Sequence, residues 1–373
     1  MAGPVALTGL VAHERYFWHD PGSGAGFSTA SEYAEPDEHP ESASSKRRIL
    51  SLLQVSGLAD LLVPIRPRAA TIGELTAFHT SAYIERVRSL SAAGGGSIGE
   101  SATIGPGSYE IALLAAGGCL EAVDAVIAAR VANAYALVRP PGHHAEAERG
   151  RGFCVFGNAV LAARHAQRVH RLTRIAVVDW DVHHGNGTEL AFIDDPSVLT
   201  ISVHQDRCYP VDSGQIDVVG SGAAAYTNLN IPLPPGSGHG AYVAAFERAV
   251  VPALMRFRPE LIIVASGLDA NAMDPMGRMM ATSETYRVLA RQVLTVARDT
   301  AGGRLVATHE GGYSNTYVPF CGLAVIEEFA GRRTPATDPY LGELMAMAGH
   351  ELQPHQEAFV NAAAAHAART PKH

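Results

Sequence analysis

The segment Asp179-Trp180-Asp181-Val182-His183-His184-Gly185-Asn186-Gly187 sets two acids and two histidines directly after an apolar run, IAVV. In extended backbone Asp179, Asp181 and His183 point to one side. A carboxylate and an imidazole two residues apart suit a catalytic Zn²⁺ that keeps one coordination position open. The bland alternative is a loop of solvated acids with a capping histidine. Three such groups on one face at the end of a buried strand would carry a desolvation cost that a cation removes. Asp269, in Ser266-Gly267-Leu268-Asp269-Ala270 after the run LIIVA, reads by itself as a helix cap. It matters as a third ligand, since catalytic zinc sites use three protein groups.

Arg139-Pro140-Pro141-Gly142-His143-His144-Ala145 adds adjacent histidines behind a turn that fixes the backbone. Singly each reads as a surface residue. Beside a metal, a histidine titrating near neutrality is a natural base for water and acid for a leaving amine. Asp179 and Asn186 are then spare polar groups able to orient such a pair. In Glu310-Gly311-Gly312-Tyr313-Ser314, Gly311 and Gly312 permit close backbone approach to a substrate. Tyr313 offers a hydroxyl to a developing oxyanion, though a tyrosine in such a loop is as readily a packing residue. Phe153, after Gly152, and Tyr209 read either as walls of a narrow channel or as core.

These clusters follow short apolar runs that read as buried strands: Ala134–Val138, Arg174–Val178, Val198–Val203, Leu261–Ala265 and Arg304–Thr308. Helix-length segments lie between them, at Tyr109–Ala129, Gly157–Arg171, Gly240–Phe257 and Ser283–Ala301. Strand then helix, repeated, predicts an α/β fold with a mostly parallel sheet covered on both faces. Open parallel sheets place their sites beyond the carboxyl ends of the strands, where the polar clusters fall. A further helix is expected from near Glu74 to the break at Gly94–Gly96. Residues 20–45, rich in Gly, Pro, Ser and acids, read as a long surface loop, and residues 350–373 as a helical tail. No composition break divides residues 1–373, so a single domain is expected.

The bulk properties narrow the class. The 373 residues carry a formal charge of −8, which argues against a nucleic-acid partner. No run approaches the ~20 apolar residues that span a bilayer, so no membrane partner is expected. The run Val5–Ala12 lacks the flanks of a signal peptide. Cys119, Cys154, Cys208 and Cys321 form no CxxC pair, which fits reduced thiols in a cytoplasm. There is no GxSxG elbow, P-loop or GxGxxG after a strand. A homo-oligomer is left open.

Taken together, PPGHHA, DWDVHHGNGT, GLDA and EGGYS resemble the histone deacetylase and acetylpolyamine amidohydrolase superfamily, most of all its bacterial class II, histone deacetylase-like amidohydrolases. The resemblance runs from about Thr8 to Phe329. It implies the arginase–deacetylase fold, a single α/β domain around an eight-stranded parallel sheet. It implies Zn²⁺ on Asp181, His183 and Asp269, His143 paired with Asp179, His144 paired with Asn186, and Tyr313 as the catalytic tyrosine. Gly152, Phe153 and Tyr209 match the acyl-lysine channel, with Tyr209 where many relatives carry Phe. It also implies structural K⁺ on backbone oxygens around Asp179, Asp181, His183 and Ser202, with a second site near Phe192 and Val198. Asn186 stands where class I relatives have Asp, and a neutral partner leaves His144 neutral more easily. Tyr313 is present where some vertebrate relatives have His and turn over acetyl groups poorly.

The expected reaction is hydrolysis of an acetylated lysine or small acetylated amine. Polyamine specialists resembling this family often carry an acid near the channel mouth. The position after Asp274-Pro275 here is the apolar Met276, which favours acyl-lysine, although Glu100 and the acids at 35–41 are on hand to supply charge.

Overall fold

The computed structural model describes residues 7–25 and 30–373. Eight strands make the central sheet: β1 (Thr8–Val11), β2 (Val63–Ile65), β3 (Asn133–Ala136), β4 (Ile175–Asp179), β5 (Val198–Gln205), β6 (Asn228–Leu233), β7 (Leu261–Ser266) and β8 (Leu305–His309). Their order is β6-β5-β4-β7-β8-β3-β1-β2, and every pairing is parallel. All residues of β4 and β7 are buried, as expected for strands with both faces covered.

Alternation along each strand sorts its side chains between two cores. Ala176, Val178, Ile262 and Val264 enter one, with Trp180, Tyr242 and Leu289. Ile175, Val177, Leu261 and Ile263 enter the other, with Ile111, Val123 and Val160. Helices Ser283–Thr300 and Val318–Ala330 cover the first face, and Ser108–Ile127 and Asn158–Arg168 the second. β4 and β7 are neighbours, yet their chains run on in opposite directions across the sheet, β4 to β5 and β7 to β8. That divergence opens a crevice beyond their carboxyl ends. Asp181 and His183 follow β4 into it, and Asp269 follows β7.

The five expected strands and the four long helices are present. Several expectations need correction. The helix expected from Glu74 is two, Ile72–Leu75 and Ser81–Ala92, because Thr80 accepts a hydrogen bond from Tyr83 N and starts the second. The helix expected at Gly240–Phe257 is interrupted by a π turn at Phe246–Val250. Pro252 follows it and has no N–H for the ladder. Residues 8–11 of the run Val5–Ala12 form β1 in the sheet interior, while Val5 and Ala6 lie outside the described residues. In the loop 20–45, residues 26–29 lie outside the described residues. Of the rest, Ser23–Gly24 pairs with Asp37–Glu38, and a helix begins at Ser44.

That loop is not all surface, because Glu41 is fully buried. Arg139 Nε and Lys46 Nζ approach its carboxylate at 2.9 and 3.0 Å, and both partners are buried too. The two cations overcome the burial penalty and hold Glu41 at about 2. Among the described residues, no helix is long and apolar enough to cross a membrane. The last helix, Pro354–Ala367, packs on β6 and the π turn.

Candidate active site

Asp181, His183 and Asp269 converge in the crevice and are buried. His183 Nδ1 lies 3.0 Å from Asp181 Oδ1 and 3.2 Å from Asp269 Oδ2. His183 Nε2 faces the carbonyl of Met276 at 3.3 Å, which sets Nε2 as the protonated nitrogen and turns the Nδ1 lone pair toward the carboxylates. Backbone donors occupy other oxygen positions: Val182 N donates to Asp269 Oδ1 (2.8 Å), Gly311 N to Asp181 Oδ2 (2.8 Å), and His183 N to Asp181 Oδ1 (2.9 Å). Asp269 Oδ2 is buried without a hydrogen-bond donor. Burial first, then the charge of Asp181, pushes Asp269 up to about 7. An orphaned carboxylate oxygen, a second carboxylate and a correctly turned imidazole nitrogen fit a divalent cation with nitrogen and oxygen ligands.

The paired histidines stand beside this trio. His143 Nδ1 is 2.9 Å from Asp179 Oδ2, and its Nε2 is 3.8 Å from Asp181 Oδ2. Burial opposes a charge on His143, but Asp181 and Asp179 outweigh it and raise its pKa to about 10. His144 is the opposite case. Burial, then the neighbouring His143 and His183, drive its pKa well below 6.5. Its Nδ1 donates to Asn186 Oδ1 at 2.8 Å, leaving Nε2 with a free lone pair. The amide nitrogen of Asn186 donates to Glu146 Oε1 at 3.1 Å. A carboxylate in place of Asn186 would face Glu146 with like charge, so the local partner accounts for the amide.

A cavity of about 320 Å³ leads to these groups, lined by Ser101, His144, Gly152, Phe153, His183, Cys208, Tyr209, Met276 and Tyr313. Gly152 and Phe153 both take positive φ, +50° and +68°. A Cβ on Gly152 would run into the rings of His144 and Tyr209, so glycine is required at this wall. The Phe153 ring meets Tyr313 at 5.9 Å between centroids, and Tyr209 meets His144 at 5.0 Å. Burial, then Asp269 and Asp181, keep the Tyr313 pKa well above 10, so its hydroxyl holds its proton as a donor. Gly311 and Gly312 are not on the cavity wall. Gly311 secures Asp181, and the carbonyl of Gly312 accepts from Ser45 Oγ at 2.7 Å.

Two buried acids, Glu310 inside a motif and Asp274 just beyond one, have no role in the sequence reading yet hold the site's loops together. Glu310 Oε2 accepts from Gly142 N (2.6 Å) and His143 N (3.0 Å), and Oε1 from Thr308 Oγ1 (2.9 Å). It thereby seats the histidine pair. Asp274 Oδ2 accepts from Tyr313 N (2.8 Å) and Ser314 N (3.1 Å), while Oδ1 accepts from Met276 N (3.0 Å). It ties the tyrosine loop to the loop after Asp269. The only sequence signal for either was an acid adjoining a motif.

An all-parallel sheet with these side chains at its carboxyl edge has the arginase–deacetylase architecture. Comparison with known proteins agrees. A family model described as the histone deacetylase domain matches residues 39–329. The chain is 49% identical over 338 residues to a histone deacetylase-like amidohydrolase of Pseudomonas aeruginosa, covering 91% of this chain and 85% of that protein. It is 38% identical over 322 residues to a human protein named polyamine deacetylase HDAC10, covering 82% of this chain and 45% of that one. The crystal structure of the HDA15 HD domain superposes with a TM-score of 0.80 at 30% identity, covering 98% of this chain and 99% of that chain. This chain belongs to the histone deacetylase family.

Proposed function

We propose that the protein is a zinc-dependent deacetylase that hydrolyses the acetyl amide of N6-acetyl-lysine-type substrates. The observation that carries this reading is the cavity: about 320 Å³, walled by Phe153, Tyr209, Met276 and Tyr313, and ending on His144 and His183. Apolar walls suit an aliphatic lysine stem, and the polar end suits its amide. Asp181, His183 and Asp269 would hold the Zn²⁺, which when bound polarises a carbonyl and acidifies water.

His144, with Nδ1–H held by Asn186, presents Nε2 to take the proton of the attacking water. His143, paired with Asp179, stands beside it as a second proton carrier. The Tyr313 hydroxyl donates to the oxygen that gains charge as the water adds. The protonated histidine then returns its proton to the amine as the C–N bond breaks, giving acetate and a free amine. Structural K⁺ on backbone oxygens around Asp179, Asp181, His183 and Ser202 belongs to the same reading, with Asp179 and Ser202 opposite each other in the sheet. The free cysteines fit a cytoplasmic setting.

The apolar Met276 on the cavity wall supports acyl-lysine over polyamine. Arg151 pairs with Glu100 at 2.9 Å, Glu146 at 3.2 Å and Asp212 at 3.5 Å. Glu41 is spent inside the protein on Arg139 and Lys46. Of the acids offered for a distal ammonium, Glu100 and Glu41 are therefore paired, while Glu35, Asp37 and Glu38 are exposed. The test is acetate release from an acetyl-lysine peptide and from N-acetylputrescine, with and without a chelator. Chelator-sensitive release mainly from the peptide supports the proposal, and release mainly from the polyamine overturns the substrate class. Asp181→Ala is expected to lose its metal; normal metal content in that variant would remove Asp181 from the ligand set.

A further inference from the structure

A second convergence of metal-binding side chains lies far from the catalytic crevice. Asp124, near the end of the helix Ser108–Ile127, points its Oδ1 at two imidazoles. His165 Nε2 is 2.7 Å away, and His170 Nε2 2.6 Å away. The three ligand atoms lie within 4.8 Å of one another. His165 is in the last turn of the helix Asn158–Arg168, and His170 in the turn that leads into β4. All three sit at the end of the sheet where strands begin, opposite the catalytic crevice.

We propose that Asp124, His165 and His170 form a second divalent transition-metal site, suited to Zn²⁺. Two imidazole nitrogens and one carboxylate oxygen are the donor types of a three-ligand zinc site with water in the remaining position. The degree of burial agrees: His165 is buried, while Asp124 and His170 are partly open to solvent, so the ligands are fixed and water still has access. Ligand atoms around zinc stand about 3.3 Å apart, from bonds of ~2.0–2.1 Å. Opening the present 2.6–2.7 Å separations to that value requires a shift of about 0.6 Å. His170 is carried on a turn, where such a shift meets little resistance. A metal here clips two helices of one sheet face to the turn that begins β4. Its role is to fasten the scaffold, and it takes no part in hydrolysis.

The test is metal stoichiometry on the full-length protein. After equilibration with Zn²⁺ and removal of free ion, the wild type is expected to hold two equivalents and His170→Asn one, with equal acetate release by both. One equivalent of Cu²⁺ added to the zinc-loaded protein, where it displaces Zn²⁺ from the solvent-open site because it binds nitrogen and oxygen donors more tightly, gives a second reading. The wild type should show an electron paramagnetic resonance signal with nitrogen hyperfine splitting, and His170→Asn should lack it. Asp124→Asn keeps an acceptor for the imidazoles without the charge, and should weaken zinc binding at this site at least tenfold while the protein stays folded. One equivalent in the wild type with no copper signal, or two equivalents in both His170→Asn and Asp124→Asn, would overturn the proposal and leave a hydrogen-bonded Asp–His pair of contacts.

Discussion

Replacing Glu310 by Ala should damage both stability and turnover, by amounts the hydrogen bonds set. Glu310 is buried, and its removal strands the N–H groups of Gly142 and His143, which now donate at 2.6 and 3.0 Å. Thr308 is less affected, because its hydroxyl also reaches the Val264 carbonyl at 3.5 Å. Two buried donors at about 1–3 kcal/mol each give roughly 2–6 kcal/mol. Water entering the vacated space would offset part of that, so a loss of about 2–4 kcal/mol is expected. Melting should fall by about 3–5 °C for a chain of 373 residues. The same N–H groups seat His143 and His144, and misplacing a catalytic group by about 1 Å costs up to ~10²-fold. The kcat of Glu310→Ala should therefore fall at least about tenfold with metal content unchanged. Glu310→Gln separates bonds from charge. Its amide oxygen can accept both N–H groups while its NH₂ faces Thr308, so it should melt close to wild type and retain most activity. Thermal melts, acetate release and metal analysis on the three proteins decide the matter. An Ala variant that melts and turns over like wild type would refute the reasoning, and a Gln variant as damaged as Ala would show that charge, not the bond pattern, matters.

Tyr313→Phe keeps the ring contact with Phe153 and removes only the donor; kcat should drop by about 10²–10³-fold with metal retained, and unchanged kcat would exclude the hydroxyl from the reaction. For Glu41, whose pKa is held at about 2 against an ordinary 4.5, the sign follows from linkage: its stabilisation is complete above about 4.5 and disappears as pH falls toward 2. Glu41→Gln should therefore be less stable than wild type at pH 7, where Arg139 and Lys46 lose their counter-charge, and the gap should close through that window in denaturant titrations. A gap that stays constant with pH would refute the pairing.

The sequence announced chemistry best where a strand and its ligands are contiguous. IAVV followed by Asp179, Asp181 and His183 needs only the two-residue period of extended chain, and it points all three to one side. What joins separate strands was hidden. Glu310 meets His143 across 167 positions, Asp274 meets Tyr313 across 39, and Arg139 meets Glu41 across 98; no local pattern encodes such a meeting. For the same reason Glu41 read as a loop residue, since an acid between two cations looks like any exposed acid until its partners arrive. The missed strands were short or mixed. Val63–Ile65 has a proline at its centre, and Asn228–Leu233 carries Asn and Pro among its apolar residues, so neither shows the β-branched run that marked β4 and β7. Gly311 and Gly312 read in the sequence as facing the substrate because glycine signals close approach without saying to what; in the structure they face Asp181 and Ser45.

Arg151 gives the protein a store of unexpressed specificity. One guanidinium ties together Glu100, Glu146 and Asp212, carboxylates from three separate stretches of chain, next to the Gly152 wall. Glu146 also accepts from the Asn186 amide, whereas Glu100 and Asp212 touch no group of the hydrolytic machinery. A single codon change at position 151 would release Glu100 and Asp212, already half or more exposed, and make a rim with more carboxylates than guanidiniums more acidic still. In evolutionary terms, the charge at this edge of the cavity can change in one mutational step, ahead of the residues that line the cavity itself.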